Sequence, residues 1–387
     1  MKILIVLTYY RPHTSGLTIY VERLARSLAS RGHQVTVLTS QYEPELPVQE
    51  IKDGVKILRV PVLFRVSKGV IMPTFGFMAW KLALEHDVIH LHLPQFDAAG
   101  VALRGRLLRK PTVISYHSDL LLPSGWFNRV VNQVVFFMNN LSAVFAHKIG
   151  AYTQDFADHS PYLRRFAHKV EVIYPPVELP EASTEAVVAF KLSHNPNGKH
   201  PVIGMATRFA AEKGVEILLE ALPQVLARYP DAMVLYAGQY QGVWKEEAYL
   251  KRLLPISEAY QEKGQWKFVG NLSLEEMATF YPNLDVLVVP SLNSTETFGL
   301  VQIEAMMNGV PTVASDLPGV RQPPQMTGMG EVVPIGDAGA LAEAILKIFD
   351  HPDGYAGDPA AIAQQFDPHT NAAAYERLYT QISQSLQ

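Results

Sequence analysis

Short uninterrupted apolar runs alternate with stretches in which apolar residues recur every three or four positions, and the alternation continues along nearly the whole chain. Ile3–Leu7, Val35–Thr39, Val88–Leu93 and Thr112–Tyr116 have strand length, whereas Gly16–Ser30 carries a helical period. Strands apolar on both faces and separated by helices predict an α/β fold with a mostly parallel sheet. The pattern restarts at Pro201–Thr207, followed by a helix over Gly214–Arg228 with Leu218, Leu219, Leu222 and Leu226 on one face, and a strand at Ala232–Ala237. The glycines opening the two helices stand 198 residues apart, so each unit reads as the first β-α-β of a doubly wound domain. Between them, Tyr174-Pro175-Pro176-Val177-Glu178-Leu179-Pro180 cannot continue a helix or a central strand and predicts a linker. Domains are expected over 1–178 and 179–366, with residues 181–200 irregular around a turn at Asn195–Gly198. A last helix is expected within 367–387, from about His369 to Ser383.

A length of 387 residues and a 48% apolar composition suit two packed cores. The absence of Cys excludes disulfides, thiolate zinc sites and thiol nucleophiles. No apolar run approaches the roughly 18–20 residues that span a bilayer, and Ile3–Leu7 is too short for a leader's apolar segment. The net charge of −4 hides an asymmetry. Residues 1–178 hold 20 Lys/Arg against 13 Asp/Glu, and residues 179–387 hold 13 against 24. A basic first half suits an anionic acceptor or membrane surface, although two differently solvated surfaces would give the same count.

The densest chemical signal lies between Leu284 and Asp316: a strand at Asp285–Pro290, a polar loop at Ser291–Thr297, a helix at Phe298–Asn308 and a strand at Val310–Ser315. Such a strand-loop-helix aims first-turn amides at whatever lies beyond the strand, and an anion is the natural occupant. Glu296 in the loop and Glu304 on the helix add acceptors suited to sugar or ribose hydroxyls. Taken alone, a glutamate there can equally stabilise the helix. Arg208 and Lys213, five residues apart after another strand, can converge on one anion beside Gly214, the arrangement a diphosphate needs. His117 ends a strand where ligands bind in open α/β sheets, and Gly16 permits close approach to the backbone. Both have structural readings too. His90 and His92 share a strand face near His86, but no carboxylate completes a metal site.

The run Glu296-Thr-Phe-Gly-Leu-Val-Gln-Ile-Glu304 in this context resembles the E-x7-E region of glycosyltransferase family 4. Tyr116-His117-Ser118-Asp119, Arg208 with Lys213-Gly214, Gly238 and Phe268-Val269-Gly270-Asn271 follow that family in the right order. The resemblance implies a GT-B fold, two Rossmann-like domains facing a cleft, with the last helix crossing back to the first domain. It implies that Arg208 and Lys213 hold the diphosphate of a nucleotide-sugar donor and that Glu304 takes the ribose. Glu296 would contact the sugar, Phe298, Gly299 and Leu300 would lie along the donor, and Val269 and Gly270 beside the base. His117 would meet the transferred sugar, and Asp119 would order its loop. The sequence departs from the family where Ser15-Gly16 and Gly319-Val320 stand in place of Gly-Gly pairs.

The expected activity is metal-independent, retaining transfer of a sugar from a UDP-sugar or GDP-mannose to a hydroxyl acceptor such as a glycolipid or polysaccharide precursor. The donor is a substrate and no cofactor is expected. A GT-B-like nucleotide-sugar epimerase and a non-catalytic binding subunit are the alternatives. Dispersed basic residues and the absence of G-x-G-x-x-G, Walker and H-E-x-x-H motifs disfavour nucleic acid, dehydrogenase, nucleotide-triphosphatase and zincin readings. Arg104, Arg106, Arg109 and Lys110 precede the apolar Leu120–Phe127 and Val130–Phe137. That pattern predicts either a face for anionic lipid or the buried side of a helix; the expected location is the cytoplasm, peripheral to the inner face of the membrane in the first case.

Overall fold

The structure is a computed structural model that describes residues 1–66, 69–119 and 125–386. Leu120–Ser124 and the side chain of Phe127, both within the apolar stretch singled out above, lie outside the described residues. The chain divides into two compact units, residues 1–177 with 366–387, and residues 178–365.

In the first unit the strands are β1 (Lys2–Val6), β2 (Gln34–Gln41), β3 (Gln49–Lys52), β4 (Val55–Pro61), β5 (Phe64–Val66), β6 (Gly69–Ile71), β7 (Val88–Leu93), β8 (Thr112–Tyr116), β9 (Lys148–Ala151) and β10 (Val170–Val172). Its helices are α1 (Gly16–Ser30), α2 (Phe75–Glu85), α3 (Ala98–Leu107), α4 (Trp126–Phe145), α5 (Gln154–His159) and α6 (Pro161–Arg165). The main sheet runs β10-β9-β8-β7-β1-β2-β4-β3 and is parallel except at the edge, where β3 pairs antiparallel with β4. Val88–Leu93 and Thr112–Tyr116 are buried at every position, which is why they read as continuous apolar strands. The short edge strands between Gln49 and Ile71 carry mixed exposure and gave no such signal. Helix α1 starts where Ser15 accepts from the Thr18 amide at 3.2 Å while Thr18 Oγ1 accepts from the Ser15 amide at 2.8 Å, a reciprocal cap.

The second unit contains α7 (Thr184–His194), β11 (Val202–Ala206), α8 (Val215–Arg228), β12 (Met233–Ala237), α9 (Glu247–Glu262), β13 (Trp266–Gly270), α10 (Leu274–Phe280), β14 (Val286–Val289), α11 (Leu300–Met306), β15 (Thr312–Ser315), α12 (Gln322–Thr327), β16 (Gly330–Val333), α13 (Ala338–Asp350) and α14 (Pro359–Phe366), whose last residue belongs to the first unit. Its sheet, β13-β12-β11-β14-β15-β16, is parallel throughout. The expected irregular lead-in over 181–200 is corrected: Thr184–His194 is a helix, capped by Ser183 accepting from the Ala186 amide at 3.2 Å. Phe190 is its single buried residue, so it has no apolar stripe for a periodicity reading to find. The expected helix over 298–308 is also shorter, because Gly299 caps it with φ +76° and Phe298 lies before the cap.

The final helix α15 (Pro368–Ser385) packs on the first unit beside α1. Tyr375 donates to or accepts from Tyr20 at 2.9 Å and Ser115 at 2.6 Å, and Tyr379 bonds His90 Nδ1 at 2.6 Å. Gly150 leaves room beneath it, since a Cβ there would stand 2.6 Å from the Tyr375 hydroxyl and push that side chain aside.

Candidate functional site

In the second sheet the strand order reverses between β11 and β14, and the loops leaving their carboxyl ends open onto the crevice where open α/β sheets bind ligands. Those two loops carry Arg208 and Lys213 on one side and Glu296, Phe298 and Gly299 on the other. Lys213 Nζ lies 2.6 Å from Glu296 Oε2, with both side chains mostly buried. The Leu292 amide donates to the Glu212 carbonyl at 2.9 Å and joins the loops through the backbone as well. Arg208 does not join this pair. Its half-exposed guanidinium bonds Glu212 at 2.9 Å, one helical turn away in sequence.

Gly214 explains why Lys213 can sit so close to the second loop. It adopts φ +68°, and a Cβ there would stand 2.1 Å from the Pro290 carbonyl oxygen, so no other residue lets the β11 loop meet the end of β14. Gly214→Ala is therefore expected to destabilise the second unit by about 3 kcal/mol, a left-handed penalty plus a backbone clash. Gly270 also has a positive φ, +83°, but open space at its Cβ position. Gly270→Ala should cost only about 1 kcal/mol. Thermal unfolding of the two variants checks the difference, and equal midpoints would remove the close-approach argument.

Glu304 is buried on α11, where the Tyr281 hydroxyl donates to its Oε2 at 2.7 Å. Phe298 is buried just ahead of the cap. The seven-residue α11 contributes open amides near Leu300 more than a long helix dipole, and no side chain caps it. Val269 and Gly270 end β13, with the Gly270 carbonyl accepting from the Gly238 amide at 2.7 Å. Sequence reasoning missed Gln302. Fully buried, it donates to the carbonyls of Phe298 at 2.8 Å and Val320 at 2.9 Å and accepts from Thr312 at 3.1 Å, which ties the glycine turn to the loop after β15. A buried glutamine two residues before Glu304 was the available signal.

In the first unit the reversal lies between β1 and β7, and Gly16 opens the helix after β1. Gly16 has an ordinary φ and open space at its Cβ position, so the fold does not demand glycine there. His117 follows β8. Its Nδ1 is bonded to the Tyr152 hydroxyl and its Nε2 lies 2.9 Å from His92 Nδ1. Both ring nitrogens are engaged, so a sugar hydroxyl reaching this imidazole must displace one partner. Burial lowers the pKa of His117 to about 3 and makes it a neutral hydrogen-bonding group. Asp119 accepts from Tyr116 at 2.7 Å and from Ser160 at 2.8 Å and so orders the loop.

The ring nitrogens of His86 bond the Leu82 carbonyl and Thr36, and those of His90 bond Ser115 and Tyr379, which is structural use of both residues. Among the described residues no three His, Asp or Glu side chains converge on a metal-sized space.

The family described as glycosyl transferases group 1 matches residues 189–364, and glycosyltransferase family 4 matches residues 14–181. The chain is 26% identical over 395 residues to a phosphatidyl-myo-inositol mannosyltransferase of Mycolicibacterium smegmatis, covering 99% of this chain and 94% of the relative. It is 27% identical over 335 residues to a GDP-mannose-dependent alpha-mannosyltransferase of the same organism, covering 83% of this chain and 81% of the relative. Among solved structures, Anabaena HepE in complex with UDP superposes with a TM-score of 0.78 at 21% identity, covering 98% of this chain and 100% of that one. With a fold of two parallel-sheet units and family matches to each half, the chain belongs to the family 4 type of GT-B glycosyltransferases.

Proposed function

We propose that the protein is a metal-independent, retaining glycosyltransferase that moves a sugar from a nucleoside-diphosphate donor, a UDP-sugar or GDP-mannose, to a hydroxyl group of a lipid-linked acceptor at an anionic membrane surface. The observation that carries this reading is the 2.6 Å contact between Lys213 and Glu296 at the strand-order reversal. A cation for the diphosphate and a carboxylate for the sugar stand side by side there, with Glu304 held by Tyr281 for ribose hydroxyls. The mannosyltransferase names of two sequence relatives and the UDP complex of a structural neighbour support the donor class.

Breaking the anomeric C–O bond places negative charge on the leaving diphosphate. Arg208, Lys213 and the amides near Leu300 stabilise that charge in the role a divalent cation takes elsewhere. In the front-face course the resemblance implies, the acceptor hydroxyl adds to the anomeric carbon on the face the diphosphate leaves. Its proton passes to the departing phosphate oxygen, so Glu296 positions the sugar and forms no covalent bond. Neutral His117 contacts the transferred sugar in this reading by exchanging its bond to Tyr152 or His92 for one to a sugar hydroxyl.

The test is release of nucleoside diphosphate from UDP-glucose, GDP-mannose and ADP-glucose, with and without a lipid extract as acceptor. Release is expected from one donor, to depend on acceptor, and to persist in EDTA. Change of the donor sugar without acceptor would favour epimerisation, and loss in EDTA with rescue by magnesium or manganese would overturn metal independence. A bound donor at about 100 times its Kd should raise stability by roughly 2.7 kcal/mol, which separates a donor-binding protein that lacks its acceptor from one that binds no donor.

A further inference from the structure

Helix α4 faces the wrong way for an ordinary surface helix. Its outer stripe is Trp126, Val130, Val134 and Phe137, with Trp126 79% and Phe137 64% exposed, continued by Val144. These positions recur at the spacing of one helix face. The side turned to the protein carries buried Asn139, Ser142 and Ala143 with half-buried Val131, Val135 and Met138, and the Oδ1 atoms of Asn132 and Asn139 are buried without a hydrogen-bond partner. A helix that buries asparagines and exposes tryptophan and phenylalanine places its apolar side against something outside the unit.

The same holds next door. Helix α3 packs against both α4 and α2. The connections β7-α3-β8 and β8-α4-β9 advance in one direction along the sheet, so right-handed crossovers put both helices on one face. On the outside, α3 exposes Leu103 and Leu107, and α2 exposes Phe77, Trp80 and Leu84. The charges are one-sided. Lys81, Arg106, Arg109 and Arg129 are exposed on or just after these helices, against the exposed acids Glu85 and Asp87 at the end of α2. Residues 98–154 hold six Lys/Arg and one acid, Asp119, and the twenty residues of α4 hold one charge, Arg129.

We propose that the outward faces of α4, α3 and α2 form a docking surface for an anionic lipid bilayer, with α4 lying along the boundary between headgroups and acyl chains. Charge selects this occupant, because a second copy meeting the same face would bring like charges together, whereas phosphate headgroups pair with them. Helix α4 lies on the bilayer and does not cross it: among the described residues no helix is long and apolar enough to span a membrane. The inference deepens the reading of a membrane-borne acceptor and rests on it for its biological meaning, but its geometry is independent of the donor site.

The experiment is flotation of the full-length protein with vesicles of phosphatidylcholine alone and of equimolar phosphatidylcholine and phosphatidylglycerol. Binding is expected to the anionic vesicles only, weakening as salt is raised. The variant Val130→Ser/Val134→Ser/Phe137→Ser should bind at least about tenfold more weakly, because it removes apolar area from the contact. Phe77→Ser/Trp80→Ser should weaken binding too, and Arg106→Gln/Arg109→Gln should reduce the salt-sensitive part. All three should keep the parent's circular dichroism and its thermal shift with nucleoside diphosphate, since none touches a core. Equal binding to both vesicle types, or unaltered binding of the serine variants, would overturn the proposal. So would concentration-dependent self-association in the ultracentrifuge that the α4 variant abolishes, because the occupant is then a second copy. Vesicle binding without donor turnover would sink the proposed activity and leave the docking surface standing.

Discussion

Replacing Lys213 by Ala is expected to lower turnover at saturating donor by about two to three orders of magnitude, the usual cost of one preorganised charge donor. The ammonium is held 2.6 Å from Glu296 by a loop that Gly214 presses against Pro290, so it does not have to be ordered when charge develops on the diphosphate. The substitution leaves Glu296 without its cation, and because both mostly buried side chains keep some contact with water the loss of stability should stay near about 1–2 kcal/mol, below that of a fully buried pair. Arg208→Ala should reduce turnover to a similar degree with almost no change in stability, since the guanidinium is half exposed and bonded only locally to Glu212. Rates at saturating donor, read beside donor affinity and thermal midpoint, separate the two effects. Near-wild-type turnover in either variant would remove the diphosphate assignment, and Glu296→Gln, which keeps the shape but not the charge, would show whether Lys213 acts on the donor or only on its neighbour.

Acid is expected to destabilise the first unit steeply between about pH 6.5 and pH 5. His90, His92 and His117 stack in a row beneath α15, with ring centroids 4.3 Å and then 5.2 Å apart. Burial lowers the pKa of His90 to about 3, with the nearby His117 adding to it. His117 is lowered to about 3 by burial, and His92 is held well below 6.5 by burial and by both neighbours. The unfolded chain binds protons near 6.5 while the folded unit refuses them until about pH 3, so the unfolded state holds more protons throughout that window. Stability is complete above pH 6.5 and is lost as the pH falls, at about 1.4 kcal/mol per pH unit for each imidazole. For three groups the loss by pH 5 is about 6 kcal/mol, comparable to the whole stability of many domains. Glu376, whose pKa is lowered by its bond to Arg31, loses its contribution to this unit only at lower pH. Native-state hydrogen exchange at β7 and β8 reads this unit alone, where a whole-chain melt would mix the two. A flat profile from pH 7 to 5, or an unchanged slope in His90→Gln, would refute the account.

Alternation of buried runs with helical periods determined the α/β class from sequence alone, because strands apolar on both faces can only be the middle of a parallel sheet covered by helices. The motif around Glu296 and Glu304, with Arg208 and Lys213, was legible for the same local reason: each cluster sits within one strand-loop-helix, whose geometry follows from neighbours in the chain. Partners distant in sequence were not legible. That Lys213 meets Glu296 across 83 positions, that Tyr281 holds Glu304, and that Tyr379 bonds His90 across 289 positions follow from strand order, which no local pattern encodes. Helix α7, with Phe190 as its one buried residue, escaped because what holds it is a cap and tertiary contacts to α10 and Asn283, none of which shows as a broad apolar stripe. The most instructive case is α4. Its sequence shows a stripe of Trp, Val and Phe and an opposite stripe of Asn and Ser, but periodicity gives only the existence of two faces. Which of them turned inward was decided by the packing of α4 on α3: Asn139, Ser142 and Ala143 are buried with Val131, Val135 and Met138 half-buried beside them, while Trp126, Val130, Val134 and Phe137 stay exposed.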